Sequence, residues 1–173
     1  LQGLDEEKTR IQDEIQNIKK SLHTLDDDIN REKGIIIDAN SNEKRLKEEK
    51  KELIEIDSKY YETEKHSNED LDGAKNRLNI EIDKVKELIN LQKNQEAITV
   101  LDNCKLIIEE YADSYSKNQN IKKESIKRNE RINIIDKEIQ SWKNLLLNSE
   151  KMVTELSDRK NKLNLQLEKL DNQ

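Results

Sequence analysis

The stretch LDEEKTRIQDEIQNIKKSLHTLDDDI, residues 4–29, sets Leu4, Ile11, Ile15, Ile18, Leu22, Leu25 and Ile29 among charged and amide side chains. From Ile11 onward the apolar steps alternate between four and three. Their average of about 3.5 residues is the repeat of a helix that buries one narrow seam against a partner helix. Carried on by sevens, one row runs from Leu4 to Leu88 and a second from Lys8 to Val85. Sixteen of these 25 positions are aliphatic, in a chain that is only 32% hydrophobic, so the seam spans the first half of the sequence. The positions between the rows are mostly Glu, Asp, Lys, Asn and Gln, which leaves the rest of the helix wet.

Composition points the same way. The 173 residues include no Phe, one Trp, no Pro and three Gly, and 40% are charged. That is too little apolar volume for a globular interior, whereas Lys, Glu, Gln and Leu favour helix and no proline breaks one. The net charge of −6 is uneven: residues 1–90 carry 17 basic and 24 acidic side chains, and 91–173 carry 15 and 14. The densest basic cluster, Lys122, Lys123, Lys127, Arg128 and Arg131, is interrupted by Glu124 and Glu130. It reads as a solvated flank rather than a phosphate-binding surface.

A single cysteine, Cys104, allows no internal disulfide and fits a reducing, cytoplasmic setting. The longest apolar runs, Ile35–Ile37 and Leu145–Leu147 among them, are three residues, too short for a bilayer. The pattern predicts no signal peptide. It opens in mid-helix at Leu1 without an initiator Met, which leads us to expect a piece of a longer protein.

Along the chain, residues 1–90 are expected to form one coiled-coil helix. Gly34 costs it about 1 kcal/mol against Ala without breaking it. Asp38–Lys44 and His66–Gly73 hold capping residues, but the heptad frame is the same before and after each, so the helix should continue. The seam fades after Leu88, and residues 91–97 are the expected turn. Arms of about 90 and 77 residues, roughly 135 and 115 Å at 1.5 Å per residue, are then matched for pairing. In the second helix, 98–173, Ile98, Leu101, Ile108, Tyr115 and Ile126 define a weak frame. From Ile132 through Ile135, Ile139, Trp142 and on to Leu170 the seam is clear but offset by one residue. Such an offset alters supercoiling locally, and a joint or bend is expected within 105–131.

Chemistry-bearing patterns are scarce. Gly3, Gly34 and Gly73 stand alone, so these residues contain no phosphate-binding loop. Glu62, His66 and Asp70 lie four apart on one helical face, a spacing open to a divalent ion but common by chance in so charged a chain. His23 has no such neighbours. Cys104 and Trp142 read as packing residues. No catalytic, cofactor-binding or metal-binding residue is expected.

The pattern Leu25-x-x-Asp28-Ile29-Asn30-Arg31-Glu32, Asp38-Ala39 and Arg45-Leu46-x-x-Glu49 resembles the amino-terminal arm of bacterial SMC proteins, the chromosome-condensation ATPases. Arg128-x-x-Arg131-Ile132-x-x-Ile135-x-x-Glu138-Ile139-x-Ser141-Trp142, followed by Leu156-x-x-Arg159, resembles the carboxy-terminal arm of the same family. The family's hinge-proximal arms, hinge and nucleotide-binding heads are absent, so the resemblance implies two arm pieces joined by a short connection. It also implies a parent that homodimerises, binds a kleisin subunit and DNA, and works in the cytoplasm at the nucleoid in chromosome segregation.

The sequence therefore predicts an all-α fold: a long antiparallel intramolecular two-helix coiled coil without a globular core, whose partner for each helix is the other. Leu22 should lie near Leu163 or Leu167, and Leu53 near Ile132 or Ile135. The competing expectations are a parallel dimeric tether unrelated to SMC proteins, and the arm of a DNA-repair ATPase, which would need a Cys-x-x-Cys zinc hook that these residues lack.

Overall fold

The structure, a computed structural model, describes residues 1–172. Two helices account for nearly all of them: α1, Gln2–Asn90, and α2, Asn94–Asp171. They pack against each other as a helical hairpin, and the described residues contain no strand. α1 runs without a break through Asn40–Asn42 and through His66–Gly73. In the first of these stretches a polar side chain serves its own helix: Asn42 Nδ2 donates to the Asp38 carbonyl at 2.9 Å. With no proline anywhere, nothing removes a backbone donor from either ladder.

The turn is tighter than the expected 91–97 and occupies three residues, 91–93. Its hydrogen bonds explain how it closes without glycine. Lys93 N donates to the Leu88 carbonyl at 2.9 Å and Gln92 N to the Ile89 carbonyl at 3.0 Å, the paired bonds of a Schellman motif. Gln92 holds the left-handed position with φ 61°, a conformation that glycine adopts more cheaply. Ala97 N then bonds the Lys93 carbonyl and opens α2.

The molecule divides into two compact units. One comprises Leu1–Glu48 with Ile135–Gln173, the other Glu49–Ile134. We letter the heptads so that Ile15 is a and Ile18 is d in α1, and Ala97 is a and Val100 is d in α2. Every buried residue among those described then stands at a or d.

In the first unit Ala39, Leu46 and Ile135 are fully buried, and Ile29, Ile139, Ser149 and Leu156 nearly so. Lys160 reaches Asp26, and Lys143 lies 4.0 Å from Glu43, which fixes the antiparallel register of this unit. That register sets Leu22 opposite Leu163, and the small Ala39 and Ser149 opposite the larger Leu146 and Ile36. Pairing small with large keeps the helices evenly spaced. Leu4 and Lys8, with which the α1 rows begin, are exposed.

In the second unit Arg128 bonds Asp57, Asn118 bonds Ser67, and Arg77 lies 3.3 Å from Glu110. These pairs share one register, which sets Leu53 opposite Ile132 and Ala74 opposite Tyr111. The α2 frame differs here from the sequence expectation. Ala97, Val100, Cys104, Ile107, Tyr111, Ser114, Asn118, Ile121, Ser125 and Arg128 form the inward row, at unbroken steps of three and four. Ile98, Leu101, Ile108, Tyr115 and Ile126 are exposed. The expected one-residue offset near 129–132 is therefore absent, because the frame that holds Ile132 extends back to Ala97. α2 is also continuously helical across 105–131.

Candidate functional site

The chemistry of this molecule is concentrated where its helices meet. In the second unit two layers of the seam are polar. At one, Arg128 turns inward and its Nε donates to Asp57 Oδ1, with the side chains only 14% and 29% exposed. The guanidinium also lies 5.4 Å from the centroid of the Tyr60 ring, within cation–π range. At the other, Asn118 is fully buried; its Nδ2 donates to Ser67 Oγ at 3.2 Å and to Asn68 Oδ1 at 2.7 Å, while its own Oδ1 has no partner. Each such layer gives up apolar burial in exchange for a geometry that only one alignment of the helices satisfies.

Charges beside the seam reinforce that alignment. Arg131 Nε donates to Glu49 Oε1 at 2.8 Å and its Nη2 to Oε2 at 3.0 Å, a bidentate fork between g positions. Arg77 and Glu110 form a second g-to-g pair. In the first unit Lys47 lies 2.8 Å from Glu43, an a-position carboxylate only 14% exposed, with Lys143 farther off on the opposite helix. The hydrogen bond from Lys47 lowers the Glu43 pKa, partial desolvation works against it, and the charges of Lys47 and Lys143 add to the lowering.

The residues singled out in the sequence fall into place around this seam. The basic cluster is dispersed: Arg128 and Arg131 are committed to Asp57 and Glu49, and Lys127 lies 3.7 Å from Glu124. Cys104 is a buried free thiol at an a position, and Trp142 stands at d. His66 lies 3.6 Å from Glu69, and His23 the same distance from Asp27. No group of three or more His, Cys, Asp or Glu among the described residues is placed to hold a metal ion. Two open grooves follow the seam, one floored by Leu25 and Leu163 and another by Leu53, Tyr60 and Ile121. Among the described residues no helix is long and apolar enough to cross a membrane.

The polar layers are what sequence reading missed. Periodicity scores apolar residues, so Arg128 and Asn118 carried no inward signal, and their partners Asp57 and Ser67 lie 71 and 51 residues away.

Comparisons with protein-family models, with curated proteins and with solved structures found no match.

Proposed function

We propose that this chain is a structural coiled-coil arm that spaces and orients other parts of a protein and carries no catalysis of its own. One observation carries the reading: in each unit the a and d rows of α1 close on those of α2 within the same chain, and the polar side chains of the seam are spent on fixing that pairing. A parallel tether would need the α1 seam free to meet another chain, whereas here α2 covers it. The arrangement favours the hairpin.

The resemblance of residues 25–53 and 128–159 to the two arms of SMC proteins narrows the proposal. In that reading the arm links head and hinge of a chromosome-organising ATPase and passes conformational change between them; a kleisin, DNA and a second SMC subunit are partners of the parent. The coding sequence on either side of this segment tests it. A phosphate-binding loop upstream and the remainder of a nucleotide-binding head downstream support an SMC arm. Flanks without them overturn that identity, while the arm itself stands or falls on cross-linking within one chain.

A further inference from the structure

In an antiparallel pair the e positions of both helices flank one edge of the seam and the g positions flank the other. The g edge of the second unit carries the ion pairs Arg77–Glu110 and Arg131–Glu49. Its e edge is different. On α1, the e positions from Ile54 to Ile89 include Tyr61 and Ile82; on α2, those from Leu101 to Asn129 include Ile108 and Tyr115. Seven of these eleven positions are thus large and apolar, and all seven are 38–66% exposed. The first unit has none: its e positions, Gln12 to Lys47 and Asp136 to Asp171, are all polar or charged. Both units hold 16 basic and 19 acidic residues, so the contrast lies in placement and not in overall charge.

Helices with apolar residues at a, d and e have a face wide enough for a bundle, not only for a two-stranded seam. We propose that the e edge of the second unit seats a third helix, supplied by a partner and acidic along its flanks. Charge decides the occupant. Two of the polar e positions are Lys75 and Lys122, both exposed and neither with an ion-pair partner among the described residues. In the register of this unit Lys122 stands level with Tyr61 and Asn68, which puts it about 11 residues, or three helical turns, from Lys75 along the edge. Carboxylates spaced about 11 apart on one face of a partner helix meet both. A second copy of the hairpin fits less well, because a two-fold axis through the middle of the stripe brings Lys75 towards its own counterpart. Seven side chains exposing about 100 Å² each, matched by the partner, bury roughly 1,400 Å² in total, within the range of a standard specific interface.

The inference does not depend on the arm belonging to an SMC protein. Its test uses the whole chain and a labelled synthetic helix of five heptads, with Leu at a and d and two flanking Glu 11 residues apart, beside a twin carrying Lys at those two sites. Fluorescence anisotropy should show the Glu peptide binding at least tenfold more tightly than the Lys peptide. Ile82→Glu with Ile108→Glu should abolish binding while the helical circular dichroism stays unchanged. Lys75→Glu with Lys122→Glu should reverse the preference between the peptides. Failure of the Glu peptide to bind below about 100 µM, binding indifferent to these substitutions, or a hairpin that instead doubles its mass through the same edge would overturn the proposal.

Discussion

Asn118 donates to Asn68 Oδ1 across the seam at 2.7 Å while its own carbonyl oxygen, fully buried, accepts nothing. An unsatisfied buried acceptor carries a desolvation penalty of about 1–3 kcal/mol, and an apolar side chain of similar volume removes it. Asn118→Leu should therefore raise stability by about 1–2 kcal/mol in urea unfolding. The same change removes a bond that only one alignment satisfies, so cysteine pairs one heptad out of register should begin to cross-link in the variant and not in the parent. A destabilised variant would show that the orphaned oxygen is satisfied in solution.

The Asp57–Arg128 layer behaves in the opposite way when half of it is removed. Asp57→Ala leaves a guanidinium that is 14% exposed beside an apolar seam, and the loss should be about 1–3 kcal/mol. Replacing both residues with Leu should recover that loss or exceed it, since two paired charges have been withdrawn from water for a modest net gain. A double-mutant cycle by thermal or urea unfolding measures the coupling.

At the turn, Gln92 occupies a left-handed conformation in which a side chain is disfavoured. Gln92→Gly should stabilise the hairpin by about 0.5–1 kcal/mol, and Gln92→Val should destabilise it by at least as much. Unchanged midpoints in both variants would mean that the Schellman turn is not populated.

Glu43 sets an acid limit. Its folded pKa lies below the ordinary value because Lys47 hydrogen-bonds its carboxylate. A lowered folded pKa means that the unfolded chain binds the proton first as pH falls. The contribution is fully present above the unfolded value, about 4.5, and is lost as pH drops through the lower folded one. Glu43→Gln should thus flatten the fall in melting temperature below about pH 4.5 and leave its slope near neutrality unchanged. Equal acid slopes in the two proteins would remove Glu43 from the account.

How far the sequence revealed this fold depends on the helix. In α1 the rows read from Ile11 to Leu88 are the rows that turn inward, exposed Tyr60 excepted, because aliphatic residues hold most of their positions against scattered competitors such as Ile37, Ile54 and Ile82. In α2 the competition is reversed between 97 and 129. Leu101, Ile108 and Tyr115 at e, with Ile98 and Ile126 at b, outweigh a seam that contains Ser114, Asn118, Ser125 and Arg128. Counting apolar residues selects the wrong frame there and creates an apparent offset near 129–132. The turn lies near where the fading seam placed it, but its three-residue length had no signal, since neither Gly nor Pro marks it.

The central claim is that α1 and α2 pair within one chain, and disulfide cross-linking tests it most directly. With Cys104 replaced by Ser, Leu22→Cys with Leu163→Cys probes one unit and Leu53→Cys with Ile132→Cys the other. Oxidation of dilute protein should give, for each pair, a species of single-chain mass, 20.4 kDa, that migrates faster than its reduced form. Disulfides that form only between chains, at twice that mass, would contradict the intramolecular hairpin and the arm proposed from it.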